Sequence, residues 1–292
     1  MILVVGATGR LGGAIARRLL EAGNDVRILV RPGSSHGPLV DAGAEPVTGD
    51  LKDRASLRTA CTGVETVLTT ANAIGRSGAD TVERVDVEGN ASLIDAAEAG
   101  GVRHFVFTSV LGADAASPVP FTRAKGLAER RLENSAMTWT ILQPNVFMDT
   151  SVPVVVGAPA LAGQPVTLVG EGRRRHSMVA MNDVALYAVA AVDHAEARNR
   201  RLPVGGPEPI SWRDVVAAFE RVLGREIPVR TVPPGEPVPG LPDAINGLFQ
   251  ALETYDSPVD MAAAAATFGV QPTGIEDFVR DFVSSRSAAS RR

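Results

Sequence analysis

Lysine is almost missing from this 292-residue sequence: of 29 basic residues only Lys52 and Lys125 are lysine, and every other one is arginine. A lysine here therefore carries more information than usual. Tyrosine is as scarce, at Tyr187 and Tyr255 alone. The single cysteine, Cys61, excludes an internal disulfide and fits a reducing compartment. No apolar run approaches the twenty or so residues of a membrane-spanning helix, so no membrane association is expected. The first strand begins at once, so the expectation is also no signal peptide and a cytoplasmic location. A net charge of −4 lacks the concentrated basic face of nucleic-acid binders, and no nucleic-acid partner is expected. No cluster of His, Cys, Asp and Glu has metal-ligand spacing, so no metal is expected.

Glycine, by contrast, is abundant, and it gathers in Met1 to Gly13, MILVVGATGRLGG. Ile2 to Val5 suits a buried parallel strand, and a helical pattern runs from Ala14 to Ala22. Gly6 permits a tight turn, Gly9 lets backbone approach a pyrophosphate, and Gly12 lets the helix lie close to the strand. Amides and the positive dipole end of the helix favour phosphate. Gly6, Thr8, Gly9, Arg10, Leu11 and Gly12 are thus the candidate cofactor contacts. An ordinary strand-to-helix turn would need only the first of these properties, and the strand and helix on either side favour the nucleotide.

A second strand, Asp25 to Val30, ends at Arg31. An acidic residue there would bind the ribose hydroxyls of NAD, whereas an arginine accepts the phosphate of NADP, so Arg31 favours NADP (NADPH). A solvated loop arginine is the alternative. A third strand, Glu45 to Thr48, leads to Asp50 and Leu51, where Asp50 either accepts from the adenine amino group or caps the helix beginning near Ala55. After a fourth strand, Val64 to Thr70, the small Ala71 and Asn72 fit close passage beside the cofactor.

Helical spacing over Asp86 to Ala99 is stopped by Gly100 and Gly101, and Val102 to Thr108 is a fifth strand. Ser109 follows it at the carboxyl edge. Phe121 to Asn134 is a helix that sets Phe121 and Lys125 four apart on one face, and Thr138 to Leu142 is a sixth strand. This alternation predicts an α/β, doubly wound parallel (Rossmann) sheet. The expected division is a nucleotide domain over 1–150 and a smaller substrate-side lobe over 151–292, built from excursions off the same sheet. In the lobe the pattern predicts a short strand at Val166 to Val169, helices at Val184 to Val192, Trp212 to Leu223 and Leu241 to Leu252, and a last amphipathic set at Gly274 to Ser284. Pro228 to Pro242 reads as loop, and Ser285 to Arg292 as a disordered tail.

With these pieces in hand, the chain resembles the atypical short-chain dehydrogenase/reductases, in particular the NmrA-like group. The resemblance rests on GATGRLGG, VDVEGNASLIDAA, FVFTSV, the helix with Lys125, TWTILQPNVFM, and GEGRRRHSMVAMNDVA at Gly170 to Ala185. It implies a nicotinamide cofactor and a small-molecule substrate between the main sheet and the smaller lobe, and it leaves room for a homodimer or a regulatory protein partner. The superfamily's catalytic tyrosine stands four residues before a lysine, and those positions here hold Phe121 and Lys125. Its helper serine would fall at Ser109 or the neighbouring Val110.

Lys125 suits the nicotinamide-ribose hydroxyls, since a compact ammonium on a flexible stem fits there better than a planar guanidinium. Three classes remain without the phenol. The first is an NADPH-dependent reductase whose acceptor is quinone-like or a conjugated carbonyl. The second is a non-catalytic NADP-binding sensor, and the third a non-redox isomerase or cyclase. His176, after three arginines, is the candidate replacement acid, against the alternative of a half-buried structural histidine. Asn145, Phe147 and Met148 are candidate substrate-pocket walls, with plain core as the alternative for the last two.

Overall fold

Four apolar residues with no polar side chain among them, Ile2–Val5, are all buried and form β1. Such a run suits a strand covered on both faces, as parallel strands are. The computed structural model describes residues 1–289. After β1 come α1 (Arg10–Glu21), β2 (Val26–Val30), α2 (Gly37–Asp41), β3 (Glu45–Thr48), α3 (Arg54–Cys61) and β4 (Thr66–Thr69). A π-helical stretch, Val82–Gly89, runs directly into α4 (Asn90–Ala99), followed by β5 (His104–Thr108), α5 (Pro120–Glu133) and β6 (Thr138–Pro144).

Beyond these lie α6 (Met148–Val152), α7 (Ala158–Leu161), β7 (Val166–Val169), α8 (Met181–Asp193), β8 (Arg200–Val204), α9 (Trp212–Leu223), β9 (Val229–Val232), α10 (Asp243–Leu252), α11 (Ala262–Phe268) and α12 (Ile275–Ala289). The main sheet has the order β3-β2-β1-β4-β5-β6-β8, with β1 to β6 paired in parallel. The strand order reverses between β1 and β4, and in open α/β sheets ligands bind at the carboxyl ends of the strands at that point. A second, two-stranded parallel sheet pairs β7 with β9.

The chain forms two compact units, the first from Met1–Pro144 and Val184–Pro203, the second from Asn145–Asp183 and the chain from Val204 onward. Each has its own core. In the first, Leu3, Val67, Leu93, Phe105 and Ile141 are fully buried together, and in the second Val152, Leu168, Val215, Phe219 and Val279 are.

Several element boundaries differ from the sequence pattern. Helix α1 starts at Arg10 rather than Ala14, because the Gly13 amide already donates to the Gly9 carbonyl at 2.8 Å. The cap of α3 is Asp53, whose side chain accepts from the Ala55 amide, and not Asp50. The helix expected from Asp86 begins at Val82, in π form. The stretch Pro228 to Pro242, expected to be loop, contains β9, which pairs with the distant β7. The expected disordered tail is helical from Ser285 to Ala289, and Ser290 to Arg292 lie outside the described residues.

Candidate functional site

The turn from β1 into α1 is closed by the Gly9 amide donating to the Gly6 carbonyl at 2.9 Å. Gly6 has φ +90°, a conformation that side-chain-bearing residues rarely adopt. A Cβ on Gly12 would lie 2.2 Å from the Gly6 carbonyl oxygen, so only hydrogen lets the helix pass this close to the turn. The N-cap of α1 is Gly9, which has no side chain to cap the helix, and the first turn holds no acidic residue. These are the features a pyrophosphate needs: uncapped amides, no competing carboxylate, and backbone stripped of Cβ atoms. The residues present fit a dinucleotide.

Beside this turn a cleft is lined by Gly6, Thr8, Arg31, Asp50, Leu51, Lys52, Ala71, Asn72, Arg76 and Asp80 among others. It gathers Thr8, Arg31, Asp50, Leu51, Ala71 and Asn72, all marked in the sequence. No motif in the sequence singles out Lys52, Arg76 or Asp80 for this cleft, although the rarity of lysine points at Lys52. Arg31 Nη1 lies 2.6 Å from Asp80 Oδ2, and Arg76 Nη1 lies 3.4 Å from the same oxygen. Lys52 Nζ pairs with Asp80 Oδ1 and lies 3.2 Å from Asp50 Oδ2. Asp50 also accepts from the Lys52 amide at 2.8 Å, which fixes the loop rather than a helix end. Hydrogen bonds from Lys52 and then Arg31 pull the Asp80 carboxyl down to about 2, against a smaller opposing effect of burial. The bond to Asp80 raises the Lys52 ammonium in turn.

Lys125 sits on α5 with only 2% of its surface exposed. Its Nζ donates to the Thr108 carbonyl at 3.1 Å and lies 3.9 Å from Asp86 Oδ1. The ammonium also stands 4.8 Å from the Phe107 ring centre and 5.4 Å from that of Phe121. Burial pushes it down to about 8, partly offset by Asp86 and Glu129. Asp86 is fully buried, so its carboxyl is pushed up, chiefly by desolvation. Its Oδ2 accepts from the Ala73 amide at 2.9 Å, which ties the segment after β4 to the helix beneath it. The other oxygen, Oδ1, has no hydrogen-bond partner. An ammonium has three donors, so this one can bond a ligand hydroxyl while keeping Thr108.

The other sequence-marked residues are occupied by their own chain. Ser109 Oγ donates to Glu129 Oε1, which also accepts from Gln143 Nε2 at 2.9 Å. Glu129 Oε2 lies 3.3 Å from Arg201 Nη2. In the second unit, His176 is fully buried, with Nδ1 2.7 Å from Ser257 Oγ and Nε2 3.0 Å from the Leu252 carbonyl. A carbonyl only accepts, so Nε2 carries a proton, and in the neutral ring that burial favours Nδ1 accepts from the serine hydroxyl. Burial lowers its affinity for a second proton. Both ring nitrogens are thus spent within the unit. Asn145 Nδ2 donates to the Ser257 carbonyl at 2.8 Å while its Oδ1 accepts from the Val146 amide at 2.7 Å. Met148 is core, 1% exposed among Val152, Val155 and Phe219, whereas Phe147 is half-buried.

A parallel sheet of this order, with a glycine turn after β1, defines a Rossmann-type dinucleotide-binding fold. Within it, the chain belongs to the NmrA-like family, which residues 1–279 match. It is 33% identical over 232 residues to the NAD(P)H azoreductase of Xenophilus azovorans, covering 80% of this chain and 76% of the relative. It is 33% identical, also over 232 residues, to photosystem II assembly factor Ycf39 of Cyanophora paradoxa, covering 80% and 71%. The solved structure of an NADPH-dependent quinone oxidoreductase from Escherichia coli, complexed with NADPH, has the same fold. Its TM-score is 0.82 at 21% identity, over 97% of this chain and 100% of that one. Among the described residues no helix is long and apolar enough to cross a membrane, and no group of metal-capable side chains comes together.

Proposed function

We propose that this chain is an NADPH-dependent oxidoreductase that reduces an extended, conjugated acceptor of the quinone, azo or conjugated-carbonyl type. When bound, the nicotinamide cofactor supplies the hydride. The protein's own residues bind and orient it. The glycine turn and the first amides of α1 hold the pyrophosphate, Arg31 holds the ribose phosphate, and Lys125 donates to the nicotinamide-ribose hydroxyls.

The observation that carries the acceptor class is the ring of Phe121, 5.4 Å from the Lys125 ammonium. It stands where the superfamily has a phenol, so no proton donor is offered at that position. A ketone reduced by hydride becomes an alkoxide and needs a proton as it forms. A quinone or azo group spreads the charge over a conjugated system and can take its proton from water. The likeness to an azoreductase supports the same class. His176 supplies no acid, since both its nitrogens are engaged.

The test is NADPH oxidation by the purified chain over quinones, azo dyes, enones and simple ketones, with Lys125→Ala alongside. Turnover of the first three but not of simple ketones, lowered by the mutation, is the expected result. Arg31→Ala is expected to lower the NADPH-to-NADH affinity ratio by about tenfold or more, the worth of a charge-assisted pair. An unchanged ratio removes the role given to Arg31. The likeness to an assembly factor favours a second reading, a cofactor-binding protein that acts by contacting a partner. NADPH binding without turnover on any acceptor selects it.

A further inference from the structure

Three cations from three different stretches of chain converge on one carboxylate. Arg31 follows β2, Lys52 follows β3, and Arg76 follows β4, and all three meet Asp80. Among their side chains the carboxylate is the most enclosed, 14% exposed against 44%, 28% and 35% for Arg31, Lys52 and Arg76. A surface ion pair needs one cation. This arrangement has the form of an anion site, with an aspartate in the anion's place.

We propose that Asp80 is an internal placeholder in the phosphate subsite, and that Lys52 and Arg76 complete the site that Arg31 begins. The proposal rests on the NADPH reading above. A ribose 2′-phosphate carries up to two negative charges and three acceptor oxygens, where a carboxylate has one charge and two oxygens. With Asp80 in place, the three cations face two carboxylates, Asp80 and Asp50. With Asp80 withdrawn, one carboxylate remains and the full net charge of the cluster meets the phosphate. Gly75 and Gly78 lie in the segment that carries Asp80, and the wide backbone range of glycine gives that segment alternative courses in which the carboxylate stands clear of the cations. Hydrogen bonding to Lys52 and Arg31 keeps Asp80 ionised down to about pH 2, so it competes with phosphate at every working pH.

The consequence has a sign. NADPH must displace the aspartate and NADH need not, so Asp80 narrows the preference for NADPH that the cations alone would give. A residue that only oriented the cations would do the opposite.

The experiment is direct binding of NADPH, NADH, adenosine 2′,5′-bisphosphate and 5′-AMP to the native chain, Asp80→Asn, Asp80→Ala and Lys52→Met, with thermal melts to confirm folding. Asp80→Asn and Asp80→Ala are expected to tighten NADPH and the bisphosphate by about fivefold, in the range of a partly exposed ion pair, and to leave NADH and 5′-AMP within about twofold. Lys52→Met is expected to weaken NADPH by about tenfold and leave NADH unchanged. Weaker or unchanged NADPH binding in both Asp80 variants overturns the placeholder. A native chain with no preference for NADPH over NADH, or for the bisphosphate over 5′-AMP, overturns the NADPH reading itself, which is a different result from the first.

Discussion

Burial changes what Lys125 contributes as the pH varies. Its ammonium titrates near 8 in the folded chain and near 10.5 when exposed. Between these values the unfolded chain binds more protons than the folded one, so this residue makes stability rise with pH across that window. Below it, both states are charged and the buried ammonium carries its full cost, on the order of 3 kcal/mol. We expect the unfolding free energy of the native chain, taken relative to Lys125→Met, to rise by on the order of 2 kcal/mol between about pH 7.5 and pH 10. Denaturant titrations at a series of pH values measure it, and a flat difference would show an ammonium that stays hydrated. The sequence marks Lys125 by scarcity and by its spacing from Phe121. Helical spacing marks Glu129, four residues on along α5, as a neighbour of Lys125, whereas nothing local marks Asp86, which comes from an earlier helical stretch and meets the ammonium only in the folded chain. His176 shows the converse. Three preceding arginines make it look like a site residue, whereas its bonds to Ser257 and Leu252, some eighty residues on, make it an anchor. His176→Ala takes the side-chain donor from the buried Leu252 carbonyl, while Ser257 Oγ keeps Asn145, at a cost of about 1–3 kcal/mol. Faster amide exchange at Ser177 and Ser257 in that variant is the expected sign.

Among the elements, α1 and α9 show two ways in which a helix start can be written. The start of α9 is a capping box in which Ser211 Oγ accepts from the Asp214 amide and the Asp214 carboxylate accepts from the Ser211 amide. Ser211→Ala is expected to lower stability by about 1 kcal/mol in urea unfolding, with cofactor binding intact. The start of α1 is deliberately bare, and its sensitivity lies in shape. Gly12→Ala sets a methyl 2.2 Å from the Gly6 carbonyl, where backbone and not a flexible side chain must give way. We expect this variant to lose the rise in melting temperature that NADPH produces in the native chain, and a full rise would show that the turn tolerates the methyl. The glycine turn and the serine three residues before an aspartate are local signals that the sequence carries, but the apolar pattern puts the start of α1 four residues late, at Ala14 instead of Arg10. Strand β9 is not legible in sequence. It lies in a proline-rich stretch and owes its existence to pairing with β7, more than fifty residues earlier in the chain. Strand β8 begins with two exposed arginines and gives no apolar alternation to read.

For the molecule as a whole, charge is distributed against its sum. The chain carries a net −4, yet Arg31, Lys52 and Arg76 gather in one cleft. Binding that depends on exposed cations is screened by salt, whereas contacts made by backbone and buried groups are screened much less. Raising ionic strength from about 0.05 M to 0.5 M is therefore expected to weaken NADPH several-fold more than NADH, as read by titration calorimetry. The class of the sheet is legible from the alternation of apolar runs with helical spacing, and so is the glycine turn that borders the candidate cleft. The order in which the chain visits that sheet is not. It leaves after Pro144 and comes back with Val184–Pro203 to lay β8 at the edge. A ribosome delivers residues in sequence, and a unit folds when its last required strand has emerged. The cofactor-binding half of this chain, although it opens the sequence, thus cannot be finished during synthesis until the strand ending at Val204 has been made, and a gene cut between the two halves at residue 150 would yield a sheet with the flank of β6 uncovered.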